Sequence, residues 1–230
     1  MRKIIVTLAL GLPVLAFAAA DAERRFELSV PLDGIERVSM QAQVGEVNIV
    51  AADVDAIEIE VILETENSSA KVAERMERAK LVHEIDDGEL SVKLDYSRSM
   101  LSDNDLEERW QVRMPAALAL DADLNIGAMR IEGVSGGVTA DVNIGDLNIT
   151  VPEGDVEADL NIGSITIRNA TRSLGSVELG TTIGDVSLQV DGKPAGKATG
   201  WLGAKMVHDE DGDDDIDASV NIGEVTVRIR

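Results

Sequence analysis

A six-residue phrase recurs along this chain at near-regular intervals, and it constrains the fold more than any other feature. It reads Ala122-Asp123-Leu124-Asn125-Ile126-Gly127, then Ala140-Asp141-Val142-Asn143-Ile144-Gly145, then Ala158-Asp159-Leu160-Asn161-Ile162-Gly163, and it returns as Ala218-Ser219-Val220-Asn221-Ile222-Gly223. A degenerate copy is Leu179-Gly180-Thr181-Thr182-Ile183-Gly184, and a fainter one is Met40-Gln41-Ala42-Gln43-Val44-Gly45. From Gly127 onward the glycines are spaced by 18, 18, 21 and 39 residues. A period near twenty marks stacked supersecondary units.

Each unit alternates with period two on both sides of its glycine. Ala140, Val142 and Ile144 alternate with Asp141 and Asn143; Leu147 and Ile149 then flank Asn148. That period belongs to strands with one buried face. The glycine falls where the alternation breaks, so it reads as a corner. The second corner varies in length, at 132–137, 151–154 and 169–175. An up-and-down antiparallel meander also gives short alternating strands, but it need not place identical residues at identical offsets. Stacked coils do. The expected fold is therefore all-β: a parallel β-solenoid of 18–21 residues per coil, plus one short helix. Val, Leu and Ile, Ile144 among them, are expected to form inward columns.

The outward columns are expected to form ladders. Asn125, Asn143, Asn161, Thr182 and Asn221 make one, and stacked Asn amides bond along such an axis. Asp123, Asp141 and Asp159 run beside it. Carboxylates at one-strand spacing repel, so they are either screened by water and salt or bridged by a cation. Asp141 and Asp159 are thus candidate cation contacts, with Asp209, Asp211 and Asp213 of the acidic run 209–217. That run fails as an EF-hand loop: with Gly212 at the sixth position, Val207 and Ala218 fall on the first and twelfth, and neither is a ligand. A solvated acidic face with weak divalent-cation binding is the expectation. Trp201, Asn125, Asn143 and Asn161 are candidate partner contacts.

Residues 23–120 are less regular. Strands are predicted at 26–30, 37–43, 46–50 and 57–64, with a helix at 69–80 whose Val72, Ala73 and Met76 share one face. Asp86-Asp87-Gly88 predicts a hairpin turn between 81–85 and 90–96. Residues 100–108 read as an acidic loop, and 110–114 as a strand ended by Pro115. The N-terminus carries Arg2 and Lys3, an apolar run from Ile4 to Ala20 broken by Gly11 and Pro13, and small residues at A-x-A spacing. This predicts a secretory signal peptide over 1–22. The expected organisation is an irregular β part with a capping helix at 23–120 and regular coils at 121–230, together one continuous domain over 23–230.

The formal net charge is -22, without any cysteine. Nucleic-acid binding needs clustered Lys and Arg, so the charge argues against it, and against anionic lipid. Lack of cysteine excludes a lipobox anchor, disulfides and thiolate chemistry. With 44% apolar residues in strict periodicity, the chain is not a disordered polyanion. Export implies a periplasmic or secreted protein with no membrane insertion after cleavage. His83 and His208 are the only histidines, and neither sits in a nucleophile–base or metal-ligand motif. No cofactor is predicted. Few aromatic residues are present to stack on sugars: Phe26, Tyr96, Trp110 and Trp201 follow the signal region.

The run Val112-Arg113-Met114-Pro115, then Leu118–Leu120, then the Asn-Ile-Gly repeats, resembles bacterial exported proteins of the putative-adhesin, β-strand-repeat family of unknown function. Gly145-Asp146 and Gly184-Asp185 match that family's turn, while Gly127-Ala128 and Gly163-Ser164 depart from it. The likeness covers roughly residues 26–230. It implies a solenoid-like fold and brings no catalytic residues; relatives are also linked to envelope-stress membrane proteins. The expected function is a non-catalytic exported scaffold or adhesin-like binding protein that presents an acidic β face to an envelope component. The alternatives are a calcium-dependent polysaccharide-acting enzyme and an accessory ligand-binding protein of an envelope-stress sensor.

Overall fold

A computed structural model describes residues 22–67, 69–96, 106–200 and 202–230. The signal-peptide reading of residues 1–21, most of the acidic loop read at 100–108, and Trp201 lie outside the described residues. The chain is mostly β, with one short helix and a large mixed, largely parallel sheet.

The repeats form long strands: β2 (Arg37–Ala51), β7 (Ala119–Glu132), β8 (Val138–Val151), β9 (Val156–Asn169), β10 (Leu174–Val190) and β13 (Asp214–Ile229). All pair in parallel and in register through their glycines: Gly45 with Gly127, Gly127 with Gly145, Gly145 with Gly163, Gly163 with Gly223, and Gly223 with Gly184. An antiparallel meander of the repeats is thereby excluded. The faint copy at 40–45 takes its place in the stack beside the strong ones.

Each strand changes its buried parity at its glycine. In β8, Val138, Ala140 and Val142 are buried before Gly145, and Leu147, Ile149 and Val151 after it. Both halves join one hydrophobic core. The four residues between them, Asn143 to Asp146, therefore form the outer corner. Ile144 is 40% exposed, and its counterparts Ile162, Ile222 and Ile183 are exposed by 41%, 43% and 51%. This corrects the expected inward column: the alternation is counted through the corner, where the backbone switches faces, so the last apolar residue before the glycine points out.

The glycines are required by packing. Their φ values lie between 133° and 149°, a region closed to side chains. A Cβ on Gly145 would lie 1.7 Å from the Gly127 carbonyl oxygen, and one on Gly163 as close to that of Gly145. Each corner is thus packed directly against the backbone of the rung below.

The spatial order of the last strands differs from their sequence order. The stack runs β2-β7-β8-β9-β13-β10, so the C-terminal strand lies between β9 and β10. The 21-residue interval has its reason here. Three extra residues supply roughly 10 Å of extended chain, enough to step over a second strand spacing of about 4.8 Å. The chain then turns through β11 (Lys193–Pro194) and β12 (Lys205–Asp209), which pair antiparallel with β10 and cover its free edge, before β13 fills the gap.

At the other end the two halves of β2 part company. Its first half pairs with β5 (Glu89–Asp95), which pairs with β4 (Lys80–Asp86). Its second half pairs with β6 (Glu107–Met114), followed by β3 (Ala56–Thr65) and β1 (Ala22–Pro31). The predicted β4–β5 turn has positive φ at both Asp87 and Gly88, as a tight hairpin needs. Helix α1 (Ala70–Arg78) is capped by Ser69, whose side chain accepts from the Val72 N–H. It buries Val72 and Met76 in the core, while Arg24 of β1 donates to the Met76 and Glu77 carbonyls at 2.6 Å.

Candidate functional site

Parallel register converts the repeat into surface chemistry. Because β7, β8, β9 and β13 are neighbours, the residues two positions before their corner glycines come into line. The Asn column is continuous: Asn143 donates to Asn125 at 3.0 Å, Asn161 to Asn143 at 3.1 Å, and Asn221 to Asn161 at 3.1 Å. The order is Asn125, Asn143, Asn161, Asn221, Thr182, with the last two exchanged relative to the sequence. Asn143 and Asn161 each use one N–H and one lone pair along the axis, leaving the others for solvent or a ligand.

The acidic column runs in parallel as Gln41, Asp123, Asp141, Asp159, Ser219. Its ends are tied down: Gln41 donates to Asp123 at 3.3 Å, and the Ser219 hydroxyl donates to Asp159. Asp141, in the middle, lies between two like charges. Partial burial, then the Asp159 and Asp123 carboxylates, hold its carboxyl above the ordinary range. Burial followed by Asp123 acts the same way on Asp121, opposed by Arg37. Burial followed by Glu178 and Asp159 raises Asp217. Three carboxyls on this face are therefore driven toward neutralisation, by a proton or by a cationic group. The expected freely solvated acidic face is therefore not what Asp141 meets.

These columns floor a groove of about 870 Å³ that crosses the strands from Gln41 and Gln43 to Thr181, Thr182 and Lys205. The sequence reading found its floor but not its ends. Gln41 and Ser219 stand at the Asp position of their own copies of the phrase, whereas Lys205 reaches the groove through the β12 return, which no local pattern announces. Lys205 pairs with Glu178 at 3.4 Å, so a cation already occupies one end of this acidic face.

The acidic run 209–217 lies off the groove lining and, apart from Asp217 on the acidic face, knits the last strand in place. Asp215 accepts from the Ser176 N–H at 2.7 Å and its hydroxyl at 2.9 Å, which holds Asp215 below the ordinary carboxylate range. The Asp214 carboxylate accepts from the Thr171 hydroxyl, and the Asp213 N–H donates to the Ser173 carbonyl at 2.8 Å. Asp209, Asp211 and Asp213 do not converge with other ligands: among the described residues no group of three or more His, Asp or Glu is placed to hold a metal ion. The His208 ring meets the Glu210 carboxylate at 3.1 Å.

Among the described residues no aromatic side chain lines the groove. Trp110 is wholly buried and Tyr96 nearly so. Both donate to Glu108, Trp110 through Nε1 and Tyr96 through its hydroxyl, each at 2.7 Å, and the Gln43 N–H adds a bond at 3.2 Å. This buried carboxylate was read as the end of a loop. Its role is set by its position against Gly45, where the glycine column meets β6. Phe26 carries Arg24 over its ring at 4.8 Å.

Among solved structures, a putative cell adhesion protein from Clostridium sporogenes ATCC 15579 has the same fold at a TM-score of 0.64 and 11% identity, covering 91% of this chain and 100% of that one. This chain is similar in fold to bacterial putative adhesins. A putative adhesin from Bacteroides fragilis NCTC 9343 aligns over 93% of this chain and 98% of that one, at 11% identity and a TM-score of 0.33, too low to carry an argument. No protein-family model and no curated protein matches the chain. The adhesin likeness speaks to fold alone, and the groove must be read from its own chemistry.

Proposed function

We propose that this is an exported, non-catalytic, adhesin-like binding protein, and that residues 23–230 form one continuous β-solenoid domain with α1 closing its N-terminal end. The solenoid reading is supported by links as short as residues 152–155 between parallel strands β8 and β9. Separate parallel strands need a crossover of a dozen or more residues; a strand that turns a corner midway returns to its start with far fewer.

The binding reading rests above all on one observation: an open groove runs across the coils, floored by aligned Asp and Asn columns. Repeating, outward, like-charged side chains suit recognition of an extended partner along the coil axis. Acid–base hydrolysis would need two carboxyls held in opposed protonation states around one scissile bond, with sugar-stacking groups beside them. The ladder supplies charge without that division of roles.

Affinity capture from bacterial envelope extracts, with and without calcium, tests the reading. The expected result is a captured component that depends on Asp141 and Asp159 but not on calcium, with no products in glycan-degradation assays. Capture that requires calcium, or glycan cleavage abolished by Asp141→Asn, overturns it.

A further inference from the structure

The outer corner of the stack carries a feature that the groove alone does not explain. Val44, Ile126, Ile144, Ile162, Ile222 and Ile183 are register partners on successive strands. They form one straight aliphatic ridge of six rungs, about 24 Å long at the usual strand spacing. Four of its isoleucines are among the most exposed large apolar residues described. The Asn column borders the ridge on one side, with Asp123, Asp141 and Asp159 beyond it; on the other side Asp146, Glu224 and Asp185 follow the glycines.

Resting on the binding-scaffold reading, we propose that this ridge and its acidic borders dock an extended, cationic, aliphatic-rich polypeptide segment laid along the coil axis. The occupant follows from complementarity. Apolar side chains cover the ridge, Lys or Arg on either side meet the acidic rows, and the outward N–H and C=O of the Asn amides can bond its backbone. A polyanion or an anionic lipid surface is repelled by both borders. A second copy is disfavoured twice: its ridge carries the same charge, and a strip one side chain wide falls short of the roughly 1,200 Å² that a stable interface buries. At about 3.3 Å per residue, the ridge spans seven or eight residues of extended chain.

The test uses the full chain and a labelled octapeptide in which two Lys and two Val alternate as pairs, so that each face of the extended chain carries both, with fluorescence anisotropy as readout. The same octapeptide with Ser in place of Val, the Lys-Ser peptide, matches the charge of this Lys-Val peptide. The Lys-Val peptide is expected to bind saturably, with the Lys-Ser peptide about tenfold weaker for lack of apolar burial. Ile144→Thr with Ile162→Thr, and separately Asp141→Asn with Asp159→Asn, are each expected to weaken Lys-Val binding about fivefold or more. Asp209→Asn with Asp211→Asn makes the same change in net charge away from the ridge and is expected to leave binding unchanged. All these residues are exposed, and melting midpoints no lower than that of the unsubstituted chain verify that the variants fold. Lys-Ser binding as tight as Lys-Val, an indifferent Ile pair, or an equal loss from the 209/211 pair overturns the proposal. If the ridge is indifferent while capture still depends on Asp141 and Asp159, only the peptide class falls. Loss of that capture removes the scaffold reading itself.

Discussion

Gly145 shows how one residue type holds the stack together. Its positive φ and the 1.7 Å approach a Cβ would make to the Gly127 carbonyl forbid any side chain. Gly145→Ala is expected to cost about 3–5 kcal/mol through backbone displacement and strain. Gly180, whose Cβ would meet nothing within 4 Å, is the control: Gly180→Ala is expected to stay within about 0.5 kcal/mol. Equal melting midpoints for the two would disprove the packed-corner account. Ile144 carries the opposite lesson. Exposed at the corner, it makes Ile144→Asp mild rather than severe, against the expectation from simple alternation. Asp141 gives a pH signature. Its carboxyl is raised above the ordinary value of 3.8, so at neutral pH its charge costs stability that the unfolded chain does not lose. That cost fades as pH falls through the raised value and is gone below about 3.8. Asp141→Asn should therefore stabilise at pH 7 by about 0.2–1 kcal/mol, and the gain should shrink near pH 4. An advantage equal at both pH values would show that like-charge repulsion is not its source.

At the scale of elements, the strands were legible because their buried faces repeat with period two, and the β4–β5 hairpin because Asp87-Gly88 leaves little choice of turn. The helix was legible from Ser69, Val72 and Met76. The order of the last coils was not. Column membership follows from spacing, but whether β13 stacks beyond β10 or between β9 and β10 depends on where the 174–213 excursion leads, and no local pattern encodes that. The candidate site divides along the same line. Its Asp and Asn floor, with Gln41 and Ser219 in the same column, is written in the repeat, whereas Lys205 arrives through the β12 return. The insertion has a consequence. A chain ending at Asp213 would leave β9 and β10 facing an empty strand position, with Val156, Ala158 and Leu160 losing the neighbours that β13 supplies. Open, hydrophobic parallel edges associate. This truncated chain is expected to elute as oligomers or aggregates, and adding the 214–230 peptide in trans should recover monomer. A truncated chain that is monomeric and melts cooperatively at the original midpoint would show that β13 is dispensable.

For the whole molecule, stacking identical coils also stacks identical charges. The net charge of -22 includes rows of carboxylates repeated at one-strand spacing, and three of these carboxyls are raised by burial together with neighbouring acids. Opposing them are isolated surface pairs such as Arg109–Glu64 and Arg113–Glu58, both largely on the β3–β6 face. Such exposed pairs contribute little, about 0–1 kcal/mol each, so repulsion dominates the electrostatics of the folded state. Unfolding moves the charges apart and relieves it. Monovalent salt shortens the range of this repulsion, to a Debye length of about 10 Å at 0.1 M. It screens the accumulated long-range term more than the close ion pairs. The melting midpoint should therefore rise between low salt and physiological salt, and rise less in Asp141→Asn/Asp159→Asn, where part of the ladder charge is already gone. Thermal scans monitored by circular dichroism across a sodium chloride series would measure both. A midpoint that falls with salt would mean that the surface ion pairs outweigh the ladders and that the acidic face is not a source of strain a cationic partner could relieve.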